Sequence, residues 1–271
     1  MNLRAELEAR LAATGASPRK SLGQNFLLDG RVLDAIARAA TPPFIEIGPG
    51  PGFLTERLAA QGPTVAIEKD HRWAEFLRTY FAQNQAVEIR EGDALRVPWS
   101  GGEGGSLCGN LPYYISGPLL IRALRHGERH RDAIFMLQEE VAQRLMAEPG
   151  SKTYGRLSVM GQLSGEVERL RRVPPSAFKP APKVHSAVVR ILFRSQLGDA
   201  SLEEVERVVK LAFGQRRKRL ANALGAGIDR ARLHAAAELT GLSLDERAEA
   251  WPPVAFARFS VALARTRPPG A

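Results

Sequence analysis

Phe44-Ile45-Glu46-Ile47-Gly48-Pro49-Gly50-Pro51-Gly52 decides how the rest of this chain is read. Its short, isoleucine-rich apolar run predicts a buried strand, which stops at three glycines in alternate positions. Phe53-Leu54-Thr55-Glu56-Arg57-Leu58 then resumes at helical spacing. Strand, glycine turn and helix form the nucleotide-cofactor corner of a doubly wound α/β sheet, where glycines let the backbone approach a ligand closely. The next strand, Thr64-Val65-Ala66-Ile67, delivers Glu68 about twenty residues after Gly48, the distance at which an acidic side chain meets a ribose diol.

Two details of the loop argue against a dinucleotide. Phe53 stands where a third glycine would let the helix pack closely on the strand. Pro49 and Pro51 lack the backbone N–H groups that a pyrophosphate wants. An adenosine-bearing ligand without phosphates fits better, S-adenosyl-L-methionine first among them. An NAD-dependent dehydrogenase is the distant alternative, and a tight turn with no ligand the bland one.

Outward from this corner, residues 2–13 predict an amphipathic helix, followed by a basic, irregular segment at 17–27. Asp29 is placed to cap a helix carrying Val32, Leu33, Ile36 and Ala37 on one face. Beyond Glu68 the pattern continues with a helix around Trp73 and Leu77, and strands at Val87–Arg90, Leu107–Gly109 and Ala133–Leu137. Helices are expected at Pro118–Leu124 and Glu139–Met146. This alternation predicts a parallel sheet covered on both faces. Glu166–Val173 and Ala187–Phe193 then read as two strands joined by a proline-rich loop; with no room for a crossover helix, they are expected to pair antiparallel. From about 200 onward only helical stripes follow. The fold class is therefore a doubly wound, Rossmann-like α/β sheet with an antiparallel strand pair near its end, plus a small all-helical C-terminal domain. Domain boundaries are set at 1–198, with 1–28 as an N-terminal helix and covering segment, and 199–271.

The 38 basic against 29 acidic residues give a net charge of +9, which suggests a polyanionic partner such as nucleic acid. No apolar stretch approaches a membrane span, and the amphipathic N-terminus does not resemble a signal peptide, so a cytoplasmic protein without membrane contact is expected. The single cysteine, Cys108, reads as a buried strand residue. His126 and His130 have helical spacing, but no cysteine or carboxylate cluster joins them, and no metal site is expected.

Asn110-Leu111-Pro112-Tyr113 falls where the fourth strand ends, beside the glycine loop in a doubly wound sheet. An exocyclic ring amine is a poor nucleophile because its lone pair is delocalised into the ring. Two oxygen acceptors aimed at its N–H groups would hold the nitrogen in a more tetrahedral form. Asn110 supplies one, and the Leu111 carbonyl, freed by the break at Pro112, supplies the other. Tyr113 can stack on the base. An ordinary Asn-Pro turn is the competing reading. Asp93, at the end of the third strand, either accepts an adenine amine or merely closes a turn. Phe178 lies in a proline-stiffened loop, where it either clamps a flipped base or anchors the loop to the core. The run Arg216-Arg217-Lys218-Arg219 reads as a phosphate-binding cluster or as a solvated charge run.

Gln24-Asn25-Phe26-Leu27, Glu46-Ile47-Gly48-Pro49-Gly50, Glu68, Gly92-Asp93-Ala94, Asn110-Leu111-Pro112-Tyr113 and the segment from Phe178 to Ser186 stand in one order along the chain. In type and order they resemble the ribosomal RNA adenine N6-methyltransferases, and the likeness runs from about 17 to 264. Gln215–Asn222 is similar to that family's basic helix. The resemblance implies S-adenosyl-L-methionine as cofactor, with Asn25 and Leu27 at its methionine end. Glu46, Gly48, Gly50 and Asn110 would lie beside it, Glu68 at the ribose and Asp93 at the adenine. Within the family the likeness points to dimethylation of two adjacent adenosines near the 3′ end of small-subunit rRNA, in a pre-30S-type subunit, by a monomer. The helical tail and the basic segment favour that branch over the relatives that methylate one large-subunit adenine and confer antibiotic resistance. The intact site argues against a non-catalytic assembly or transcription factor. Tyr114 departs from the pattern, because many relatives carry a second asparagine there.

Overall fold

The computed structural model describes residues 2–15, 17–19 and 22–266. Its order is α1 (Leu3–Thr14), β1 (Phe26–Leu27), α2 (Gly30–Ala39), β2 (Phe44–Ile47), α3 (Phe53–Ala59), β3 (Thr64–Glu68), α4 (His71–Tyr80) and β4 (Val87–Glu91). Next come β5 (Ser106–Asn110), α5 (Ser116–Arg125), β6 (Asp132–Gln138), α6 (Glu139–Leu145), α7 (Arg156–Ser164), β7 (Gly165–Val173), β8 (Phe178–Lys179) and β9 (Ser186–Phe193). Four helices close the chain: α8 (Leu202–Gly214), α9 (Leu220–Leu224), α10 (Arg230–Thr240) and α11 (Pro253–Arg265).

Seven strands form one sheet in the order β4-β3-β2-β5-β6-β9-β7. β2 is parallel to β3 and to β5, β3 to β4, and β5 to β6. The chain winds outward from β2 to β4 and returns to β5 on the other side. The switch point therefore falls between β2 and β5, where the crevice beyond the strand ends receives ligands in such sheets. β9 runs antiparallel to β6, with Phe135 opposite Val189, and β7 is its neighbour at the sheet edge. β2 is buried at all four residues, as a central parallel strand covered on both faces must be. Cys108 is buried in β5. On one face α2 packs Val32, Leu33, Ile36 and Ala37, and its first turn is capped by the Asp29 carboxylate, which accepts from the Arg31 and Val32 N–H groups.

By contact the chain divides into two units: Met1–Ala142 with Glu168–Phe193, and Gln143–Val167 with Arg194–Ala271. The sequence places the boundary at 198/199; the structure instead groups residues 143–167 with the C-terminal helices. The reason is α7, a helix the sequence pattern does not announce, which packs on α8 and α11. Within that second unit Trp251 sits 5.4 Å from the ring of Phe256 and 5.1 Å from Phe259, and the Tyr154 hydroxyl donates to the Trp251 carbonyl at 2.9 Å.

A two-stranded sheet, β1 with β8, also lies outside expectation. It pairs Leu27 with Phe178 and Phe26 with Lys179, tying the end of the irregular segment at 17–27 to the proline-rich loop. No helix among the described residues is long and apolar enough to cross a membrane.

Candidate active site

Gly48, Gly50 and Gly52 have φ of 68°, 54° and 88°, the left-handed region that residues with a Cβ avoid. This conformation folds the loop back over the end of β2, and each glycine N–H finds an acceptor there. Gly48 donates to the Ile67 carbonyl at 2.9 Å, Gly50 to Glu68 Oε2 at 2.9 Å and Gly52 to the Pro49 carbonyl at 3.0 Å. With prolines between them, the turn has no N–H left for a pyrophosphate. A Cβ at Gly48 would meet nothing within 4 Å, so this part of the backbone faces open space.

That space opens into a cleft at the carboxyl ends of the central strands. All eight positions expected at a cofactor line it: Asn25, Leu27, Glu46, Gly48, Gly50, Glu68, Asp93 and Asn110. Leu111, Pro112 and Tyr113 line it too. The segment at β1, β2 with the loop after it, and the ends of β3, β4 and β5 bring these residues together at the switch point.

Two buried carboxyls sit at its base. Glu68 accepts from the N–H groups of Gly50 (2.9 Å) and Asp70 (2.7 Å), and Glu46 accepts from the Thr55 hydroxyl at 2.6 Å. Burial pushes Glu68 up to about 6 against the pull of those N–H bonds. It pushes Glu46 up to about 8, and the neighbouring Glu68 charge adds to the shift. Both groups thus bind protons more readily in the folded chain than at their ordinary value of 4.5. Stability from this source is full below that value and is lost as pH rises through about 6 and then about 8. Thermal melts of the ligand-free protein from pH 5 to 8.5 should show Glu46→Gln losing less stability than the wild type across the upper half of the range. Parallel curves would mean that Glu46 is ionised throughout.

Asn110, the last residue of β5, donates from Nδ2 to the Asn25 carbonyl at 2.7 Å. Only the amide nitrogen can donate, so this bond turns Oδ1 the other way, and among the described residues no group bonds it. The Leu111 N–H is taken by the Met136 carbonyl at 3.2 Å, whereas the Leu111 carbonyl accepts nothing among the described residues. Two unengaged oxygens therefore stand together at the strand end. Tyr113 is held by a 2.6 Å bond between its hydroxyl and that of Ser186, and burial raises its phenol above the ordinary value. Asp93 accepts from Lys69 Nζ at 2.8 Å and from the Leu95 N–H at 2.9 Å, contacts that hold its carboxyl below the usual range.

Two residues or segments stand in settings the sequence pattern does not announce. Phe178 is 2% exposed and packs in the core with Phe26, Leu27 and Val188, outside the residues that line the cleft. The β1–β8 ladder pairs it with Leu27, an arrangement that matches the core-anchoring alternative in the ligand-free chain. The basic segment is not a helix: 215–218 form a turn, and only the five residues from Leu220 are helical. The chain leaves the helix because the Leu220 and Ala221 N–H groups bond the Glu246 and Leu244 carbonyls. Arg216 donates to the carbonyls of Lys152 and Tyr154, and Arg219 pairs with Asp245. Arg217 and Lys218 are exposed, with no partner among the described residues.

Several contributors carry no local signal in the sequence. Arg10 of α1 is buried, donates to the Pro51 carbonyl in the glycine loop and to Glu6 and Glu56, and lies 4.4 Å from the Phe53 ring centre. Gln24 donates to Asp70 at 3.2 Å. The Glu6–Arg10 spacing looks like an ordinary surface ion pair, and nothing nearby indicates that it is covered.

The fold and the cleft define a methyltransferase of the Rossmann-like class. The family model described as ribosomal RNA adenine dimethylase matches residues 15–263. This chain belongs to that family and is an rRNA adenine methyltransferase. Among curated relatives it is 44% identical over 251 residues to ribosomal RNA small subunit methyltransferase A of Desulfitobacterium hafniense, covering 89% of this chain and 90% of that protein. It is 45% identical to the protein of the same name from Rhodospirillum rubrum, covering 93% and 90%. A dimethyladenosine transferase from Plasmodium falciparum shares the fold, with a TM-score of 0.74 at 23% identity over 89% of this chain and 98% of that one. The 23S rRNA methyltransferase ErmE gives 0.64 at 28% identity, over 89% and 100%.

Proposed function

We propose that this protein uses S-adenosylmethionine to dimethylate N6 of two adjacent adenosines near the 3′ end of small-subunit rRNA, within a pre-30S-type particle in the cytoplasm, and that it acts as a monomer. The observation that carries the reading is the Asn110 carboxamide, turned by the Asn25 carbonyl so that its oxygen is left to accept.

The cleft fits the proposed cofactor. Gly48 leaves open space against the backbone, and the loop keeps no N–H for phosphate. Glu68, a buried carboxylate, is complementary to a cationic ligand. When bound, the cofactor supplies an electrophilic methyl on its sulfonium. Asn25 and Leu27 would hold the methionine end, Glu68 the ribose and Asp93 the adenine amine. The Glu68 oxygens can each accept a further hydrogen bond beyond the one from the loop.

Asn110 Oδ1 and the Leu111 carbonyl accept the two N–H groups of the target amine and turn its lone pair toward the methyl to be transferred. The developing charge on nitrogen is stabilised by the same oxygens. No strong base is needed, since the product ammonium releases its proton readily; Tyr113, neutral and fixed by Ser186, stacks on the ring. Most of the rate then comes from alignment.

The relatives at 44–45% identity carry small-subunit names, which favours that substrate over the large-subunit alternative at 28%. The C-terminal helices do not separate the two by themselves, because the likeness to ErmE also spans 89% of this chain. Calorimetry should show binding of S-adenosylmethionine and not of NAD. Mapping of methylated positions on under-methylated small subunits then tests the substrate; tight NAD binding, or methyl groups found only on large-subunit RNA, would refute the reading.

Arg217 and Lys218 are the free cations of the basic segment, and we assign them to phosphate contacts. Replacing both with glutamine should weaken RNA binding and reduce the salt slope of log K by about 2, roughly 1 for each phosphate no longer neutralised. An unchanged slope would remove them from the RNA surface.

A further inference from the structure

The cleft ends in an aromatic ring that the chemistry above does not use. Tyr114 follows the stacking residue Tyr113, lines the mouth and is 53% exposed, whereas Phe26 and Phe53 in the same cleft are buried. One part of the ring is backed by bare glycine. A Cβ added at Gly23 would come within 2.9 Å of Tyr114 Cδ1 and 3.3 Å of Cε1, and Gly23 has φ of 60°. The ring thus rests against a backbone position that only glycine suits. That backing is itself fastened, by Gln24 to Asp70 at 3.2 Å and by Asn110 to the Asn25 carbonyl at 2.7 Å. A large, supported aromatic surface is therefore held at the mouth before any substrate arrives, and little ordering is left to do on binding.

We propose that Tyr114 is the platform on which the base next to the reacting adenosine stacks. The inference rests on the rRNA reading above and adds a second base contact to it. Drawing one adenosine into the cleft removes the stacking partner of its neighbour, which costs free energy. A supported ring at the mouth offers that neighbour a replacement. Tyr113 cannot serve both bases, since it lines the cleft and its hydroxyl is tied to the buried Ser186. Two consecutive tyrosines would then receive two consecutive bases, the inner one specific to the reacting adenine and the outer one tolerant of any base face.

The test crosses a change in the protein with a change in the RNA. Methylation is measured on small subunits reconstituted with under-methylated rRNA carrying either both adenosines or one adenosine beside an abasic nucleotide. Tyr114→Ala should raise KM for intact subunits about ten-fold, within the range of base–aromatic stacking, and more than it alters kcat. Tyr114→Phe should stay near the wild type. The abasic neighbour should raise KM for the wild type by a similar factor and add little for Tyr114→Ala. If the two losses instead multiply, or Tyr114→Ala leaves KM unchanged, the platform is wrong. A loss of cofactor affinity without a change in KM for RNA would also overturn it, by making the ring a lid on the cofactor. No methylation of intact subunits by the wild type would refute the rRNA reading itself, whereas normal methylation with independent losses refutes only the platform.

Discussion

Asn110→Ala lowers the rate of methyl transfer about 10²–10³-fold at saturating cofactor, the usual result of removing one group that acts mainly in the transition state. The fold should survive, because among the described residues the side chain bonds only the Asn25 carbonyl, and the segment before α2 keeps its second tie through Gln24 and Asp70. Single-turnover methylation is the measurement, and a rate within a few-fold of wild type would end the amine-clamp mechanism. The structure changes what Asn110→Asp should do. By residue type alone, aspartate keeps an acceptor and looks the milder replacement. Here one of its oxygens would face the Asn25 carbonyl, which now receives a donated bond at 2.7 Å. Two acceptors cannot share that contact, so the carboxylate must turn away and carry its other oxygen out of place. Asn110→Asp should therefore be nearly as damaging as Asn110→Ala, and clearly weaker in holding the covering segment.

Glu68→Ala should raise the dissociation constant for S-adenosylmethionine by roughly ten-fold to a hundred-fold or more, the 1.5–3 kcal/mol typical of hydrogen bonds to a charged group. The loss has two sources. The ribose acceptor disappears, and the Gly50 and Asp70 N–H groups lose the oxygens they bond at 2.9 and 2.7 Å. Buried donors left without partners cost stability as well, so the melting temperature should fall with the affinity. Glu68→Gln is not a benign isostere at this position. Its amide nitrogen would meet one of the two N–H donors, and that half of the bridge would become a clash of donors. Isothermal calorimetry on both variants separates the possibilities. Wild-type affinity in Glu68→Ala would mean that the residue serves the loop alone and never reaches the ligand.

The corner around β2 was legible because its information is local. Apolar runs, alternate glycines and the return to helical spacing each act over a few residues, and left-handed backbone restricts the choice to glycine wherever it occurs. The positions of Glu68, Asp93 and Asn110 followed from the doubly wound rule, which sends the ends of successive parallel strands to one crevice. Even the exclusion of pyrophosphate could be anticipated, since proline carries no N–H in any fold.

Tertiary structure decided the rest. Phe178 reads equally well as a clamp or an anchor until Leu27 pairs with it across some 150 residues of chain and turns it into the core. Arg10 has the sequence spacing of a surface ion pair, yet the ring of Phe53 and the Pro51 carbonyl enclose it. The basic run at 216–219 has the composition of a solvated helix, and it became a turn because the backbone just beyond it bonds carbonyls more than twenty residues away. In each case the deciding partner is distant in sequence, and residue type and spacing hold no record of which distant group will be near. The sequence therefore determined the fold class, the cleft and most residues that line it. Only the packed chain decided which aromatic enters the core, which cations stay free and which way the Asn110 oxygen points, because each depends on a hydrogen bond or contact that exists only once remote segments meet.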